Sequence, residues 1–157
     1  MVLPDINLLV YAYNEAAPFH AAARAWWEEL LRREQPIAIP WAVILGFVRL
    51  VSHGGVLVHP LSPLAALERV RAWLERPHVQ TIDPGPRHLR IVEDLFRATG
   101  VGGPLTTETH LAAIAIEHQS ELHSNDADFQ RFPGLRWRNP IARAASPTRR
   151  PRGRTKR

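Results

Sequence analysis

The chain has no cysteine among its 157 residues, which excludes disulfide staples, zinc–thiolate centres and thiol catalysis. No apolar run approaches the roughly 20 residues that a membrane-spanning helix needs. The opening Met-Val-Leu-Pro-Asp lacks the basic stretch of a secretory signal. The expectation is a cytoplasmic protein with no membrane partner. Eight histidines are present, but without compact metal-ligand spacing. Acids are missing from the last sixteen residues, ARAASPTRRPRGRTKR, from Ala142 to Arg157.

What is present fits one globular domain. The length allows a sizeable core, and 45% hydrophobic against 22% charged residues excludes a disordered chain. The formal charge is +5, unevenly spread: the tail holds seven of the 20 basic residues and none of the 15 acidic ones. The remainder is therefore slightly acidic. With two prolines and no apolar periodicity, residues 142–157 read as a disordered tail, either a solubilising end or a non-specific RNA or DNA tether. Residues 1–141 form the domain.

Along that domain, short apolar runs alternate with helical patterns. Met1 to Pro4, Pro36 to Pro40, Val79 to Ile82, the segment SELHSND and the segment LRWRNP read as strands. Helices are expected at about Asn7 to Asn14, Phe19 to Glu34, Trp41 to His53 and Ser62 to Arg76. One more closes at Gly100, and another runs from about Thr107 behind a Thr/Glu capping sequence. The helix from Trp41 is apolar almost all round, which predicts deep packing. This alternation predicts parallel βαβ units in a three-layer α/β/α sandwich with a short-stranded, mainly parallel sheet. In such sheets ligands bind beyond the carboxyl ends of the strands.

The polar anomalies fall there. Asp5 interrupts an apolar stretch directly after the first strand, with Asn7 two places on; Ser124, Asn125, Asp126 and Asp128 follow a later strand, and Glu108 opens a helix. Each has an ordinary explanation: a helix cap for Asp5, a favourable helix-dipole position for Glu108, turn chemistry for NDAD. Together they put three carboxylate positions in one cleft. Gathered carboxylates repel unless a cation neutralises them, and magnesium or manganese takes such hard oxygen ligands.

The order LPDINLLVYAY, PWAVILGFVRLVSHGGV, DPGPRHLRIVEDL and TTETHLAAIAIEHQSELHSNDADFQRFPGLRWRNP resembles the PIN-domain ribonuclease toxins of VapBC toxin–antitoxin modules, from Met1 to Ile141. The last block is its most specific part. The resemblance implies Mg²⁺-dependent hydrolysis of RNA phosphodiesters, with Mn²⁺ able to substitute. Asp5, Glu108 and Asp126 match the catalytic, metal-holding acids, with glutamate at 108 where the family usually has aspartate. Asn7, Ser124 and Asp128 fall in the supporting positions. It further implies a homodimer and a VapB-type antitoxin, whose groove would include apolar residues such as Trp26, Trp27 and Phe47; core packing explains those three equally well. The departure is Gly46, where many such toxins carry a glutamate in a Glu-Phe-x-Arg pattern. One metal site rather than two follows as the expectation. Arg49, in the same pattern, is a candidate RNA-phosphate contact or a salt-bridge partner of the acids.

Two other readings stand beside this one. A haloacid-dehalogenase-like phosphatase would need Asp-x-Asp after the first strand and a suitably placed lysine, whereas the chain has Asp5-Ile6-Asn7. A weakened or inactive PIN module, silenced at Gly46, would bind RNA or sequester antitoxin without cutting.

Overall fold

The computed structural model describes residues 1–100 and 103–142. The strands are β1 (Val2–Pro4), β2 (Ile37–Pro40), β3 (Val79–Ile82), β4 (Glu121–His123) and β5 (Arg136–Arg138). The helices are α1 (Ile6–Tyr13), α2 (His20–Arg32), α3 (Trp41–Val51), α4 (Pro63–Leu74), α5 (His88–Thr99) and α6 (Thr106–Glu117). The tail expectation falls on residues 143–157, outside the described residues.

The sheet order is β3-β2-β1-β4-β5 and every neighbouring pair is parallel. Val2 pairs with Ile37 on one side and Glu121 on the other. β1 and β2 are buried on both faces, as strands covered by helices on each side must be. Right-handed crossovers that step outward from β1 to β3 put α1 to α4 on one face; the return from β3 to β4 puts α5 and α6 on the other. The expected three-layer sandwich is what forms. Its strand order reverses at β1 and β4, so the crevice of this sheet lies between their carboxyl ends.

On the first face, rings from four helices interlock, with Tyr13 of α1 lying 5.3 Å from Phe47. Trp27 of α2 lies edge-on to Trp73 of α4 at 5.3 Å, and Phe47 of α3 sits 4.9 Å from the same Trp73. On the second face, Glu117 of α6 accepts hydrogen bonds from the Gly85 and Arg87 backbone N–H groups at 2.9 and 2.8 Å, tying down the β3–α5 loop. A Cβ at Gly85 would sit 2.6 Å from the Glu117 carboxylate, which reserves that position for glycine.

Two local expectations need correction. α3 is not buried all round: Trp41 is 46% and Leu45 60% exposed, one turn apart on an open ridge. α6 has no Thr/Glu capping box. A short 3₁₀ turn (Gly103–Leu105) feeds it, Leu105 takes the cap position without a side-chain bond, and Thr106 Oγ1 donates back to the Gly103 carbonyl. The alternative cap is local: the hydroxyl satisfies the turn before the helix instead of the helix itself.

Candidate active site at the carboxyl edge of the sheet

Asp5 caps α1 and faces the crevice at the same time. Its Oδ1 accepts from the Ile6 N–H at 2.7 Å, and its own N–H donates to the His123 carbonyl at 2.9 Å, so β4 holds its backbone. Its Oδ2 accepts from the Ser124 hydroxyl at 2.7 Å. Ser124 is fully buried and its oxygen is used to capacity. It also accepts from Asn7 Nδ2 and from the Asp126 N–H, both at 2.9 Å. One hydroxyl therefore joins Asp5 and Asn7 after β1 to Asp126 after β4.

Asp5 is 8% exposed. Burial raises its pKa from 3.8 to about 6; the bonds from Ser124 and Ile6 oppose the rise, and the charges of Asp126 and Glu108 add to it. Both of those acids are thus within electrostatic reach of Asp5. Asp126 Oδ1 accepts from the Asp128 N–H at 2.9 Å, which starts the 3₁₀ turn Ala127–Arg131. Asp128 itself points away, its Oδ1 3.1 Å from Arg131 Nε on the surface. Glu108 sits in the first turn of α6, and its Oε2 is buried with no hydrogen-bond partner among the described residues.

The oxygen donors suit a hard divalent cation in kind, and the orphaned Glu108 oxygen is a buried polar atom in want of a partner. Among the described residues, no three acidic or imidazole side chains already converge as a cage. Gly46 of α3 faces Ile6, the residue after Asp5: a Cβ there would meet Ile6 Cδ1 at 2.6 Å. Ile6 thus occupies the space into which a side chain at 46 would grow. Arg49, one turn on, is exposed and makes no ion pair among the described residues, so the salt-bridge expectation for it is not met.

Two groups on the rim were missed in the sequence. Asn139, just past β5, donates from Nδ2 to Asn125 Oδ1 at 2.9 Å, while its own Oδ1 accepts from the Ile141 N–H at 3.1 Å. The strand-end rule that singled out Asp5 and Asp126 would have found it. His123 precedes Ser124, and its Nδ1 accepts from the Trp26 indole N–H at 3.2 Å. An indole only donates, so His123 carries its proton on Nε2, 2.7 Å from Glu121 Oε1. Burial lowers the His123 pKa, with Glu121 opposing. Trp26 lines a groove of about 480 Å³ with Leu30, Arg138, Pro140 and Ile141. Trp27 and Phe47, the other groove candidates, are core residues at 3% and 0% exposure.

A parallel α/β sandwich with acids and a buried hydroxyl at its switch point belongs to the class of acidic-centre α/β folds. The comparisons narrow the class. The PIN-domain family model matches residues 2–135. Ribonuclease VapC33 of Mycobacterium tuberculosis is 40% identical over 141 residues, 90% of this chain and 99% of that protein. Ribonuclease VapC37 of the same organism is 35% identical over 90% of this chain and 99% of its own length. Among solved structures, VapBC2 from Rickettsia felis bound to a promoter DNA fragment matches with a TM-score of 0.64 at 21% identity, over 88% of this chain and 98% of that one. The M. tuberculosis toxin VapC20, which cleaves the sarcin–ricin loop, has a TM-score of 0.62 at 15% identity, over 87% of this chain and 99% of that one. The chain belongs to the PIN-domain family, among its VapC ribonucleases.

Proposed function

We propose that the protein is a VapC-type endoribonuclease toxin that hydrolyses RNA phosphodiesters with Mg²⁺, or Mn²⁺ in its place, and is neutralised by a VapB-type antitoxin. One observation carries this reading: the Ser124 hydroxyl draws Asp5 and Asp126 together at the switch point, beside the unpartnered buried oxygen of Glu108. Three carboxylates of this kind suit a nuclease cation, and relatives named ribonuclease share the chain almost end to end.

In this reading Asp5, Glu108 and Asp126 hold the cation. When bound, the cation supplies a lowered water pKa and neutralises developing phosphoryl charge. The chain's own work is placement. Ile6 N–H and the Ser124 hydroxyl fix both oxygens of Asp5, Asn7 orients that hydroxyl, and the Asp128 N–H orients Asp126. Exposed Arg49 takes an RNA phosphate. The open ridge of Trp41 and Leu45 forms the homodimer contact, since an exposed tryptophan beside an exposed leucine marks an association surface. The groove beside Trp26 takes the antitoxin.

The test is RNA cleavage by wild type and Asp5→Asn with Mg²⁺, Mn²⁺ or EDTA. Cleavage should require the cation and fall more than about 100-fold in the variant, beyond the usual loss for an outer-shell partner. Cleavage that survives both EDTA and Asp5→Asn would overturn the proposal.

A further inference from the structure

Past the ends of β4 and β5 the chain stays on the carboxyl edge of the sheet. His123 is level with Arg138 across this parallel pair, and the Ser124 N–H donates to the Arg138 carbonyl at 3.1 Å. Asn125 and Asn139 follow on neighbouring strands, each half-buried. Both lie beside the Ser124 hydroxyl that joins Asp5 to Asp126.

Backbone donors fix the direction of every amide here, because a backbone N–H can only donate. The Ile141 N–H donates at 3.1 Å to one end of the Asn139 amide, which makes that end the carbonyl. Asn139 Nδ2 then donates to Asn125 Oδ1 at 2.9 Å. The Asn125 N–H reaches Asn7 Oδ1 at 3.4 Å, so Asn7 Nδ2 is the end that donates to Ser124 Oγ at 2.9 Å. The Asp126 N–H takes the other lone pair of that oxygen, and its proton is left for Asp5 Oδ2. None of these amides turns over without losing a bond.

One group is left over. Asn125 Oδ1 is occupied by Asn139, while the N–H donors of Asn125 Nδ2 have no partner among the described residues and reach solvent. The groups around it are acceptors: Asp126 follows it in the chain, Asp5 lies across Ser124, and Glu108 is within electrostatic reach of Asp5. A neutral amide fixed with only donors to offer, on the rim of an acidic crevice, matches an anionic oxygen. Either non-bridging oxygen of a phosphodiester is such an acceptor. A nucleobase carbonyl is one too, but Asn125 stands between Ser124 and Asp126, where the nuclease reading requires the phosphate.

Resting on the nuclease reading, we propose that Asn125 is a substrate-binding residue whose Nδ2 donates to a non-bridging oxygen of the RNA phosphodiester at the acids. Asn139 is its positioning residue: by occupying Asn125 Oδ1 it keeps the nitrogen as the free end. The contact supplies affinity and register without reading sequence.

The test follows the side-chain amide signals of Asn125 by NMR in the isotope-labelled full chain with Mg²⁺; the pair is identified by its loss in Asn125→Ala. Two probes are titrated: an abasic phosphodiester oligomer, which offers phosphate without bases, and the common ribonucleosides, which offer bases without phosphate. The pair should shift with the oligomer and stay with the nucleosides. Asn125→Ala should bind the oligomer about tenfold more weakly, as expected for the loss of a hydrogen bond to a charged group. Asn139→Ala frees the Asn125 amide to rotate, so it should move the pair before any probe is added and weaken oligomer binding as well. A pair unmoved by Asn139→Ala would remove the positioning role. A pair unmoved by the oligomer at saturation would overturn the contact, and movement with nucleosides alone would make Asn125 a reader of bases instead. If the pair shifts as expected while no RNA is cut in Mg²⁺, the nuclease reading fails and the phosphate contact stands.

Discussion

Ser124 and Asp5, 119 positions apart in the chain, share a 2.7 Å hydrogen bond in which the serine donates. The serine oxygen meanwhile accepts from Asn7 and from the Asp126 backbone. Ser124→Ala strands all three partners at once. The expected loss is about 1–3 kcal/mol of stability, seen as a lower urea midpoint at unchanged slope. Because this bond opposes the burial-driven rise in the Asp5 pKa, the variant should also titrate Asp5 at higher pH. A variant as stable as wild type would show that the hydroxyl is not the joint between the two halves of the site.

The pH dependence of the cation-free protein follows from Asp5. Its folded pKa of about 6 lies above the ordinary 3.8, so the folded state binds its proton more tightly than the unfolded state does. The stabilising contribution is complete below pH 4 and is lost as pH rises to 6. The span corresponds to about 3 kcal/mol at 1.36 kcal/mol per unit. In EDTA, Tm should therefore fall across this window. Mg²⁺ binds the deprotonated carboxylate, so it should raise Tm more at pH 8 than at pH 5. An equal Mg²⁺ effect at both values would separate Asp5 from the cation.

Gly46→Glu places a fourth acid beside the crevice and drives its Cβ toward Ile6 Cδ1. The neighbour is the tip of a flexible side chain, so it can rotate away. Overpacking should cost about 1–3 kcal/mol, partly offset by the better helix propensity of glutamate. Wild type should bind one Mn²⁺ and the variant two, counted by titration calorimetry. Two ions in wild type would contradict the single-site reading.

Leu45→Arg tests the ridge on α3. Leu45 is 60% exposed, so monomer stability should move by no more than about 0.5 kcal/mol. Light scattering should show a dimer for wild type and a monomer for the variant. A dimer in both would place the contact elsewhere.

Much of the site was legible because strand ends are legible. Asp5 was visible as a carboxylate in an apolar run, and Asp126 as an acid in turn chemistry after a strand. The link between them was not visible, because one serine hydroxyl serving three groups leaves no periodic trace. The N-cap and crevice readings of Asp5 looked like rivals in the sequence; its two oxygens perform one task each. The exposed face of α3 was misjudged because composition measures how apolar a helix is and not which of its faces a neighbouring element covers. Trp26, Trp27 and Phe47 could not be sorted for the same reason. Only the positions of α1 and α4 decide that Trp27 and Phe47 turn inward while Trp26 remains on the groove.

The strand order has a consequence during synthesis. β1 leaves the ribosome well before β4, yet it sits at the middle of the sheet with β4 as one of its two neighbours. Asp5 is held by the carbonyl of His123 and the hydroxyl of Ser124, and long-range pairing of this kind waits for the later strand. Until β4 is made, the nascent chain therefore carries Asp5 and Glu108 without the carbonyl and hydroxyl groups that hold Asp5.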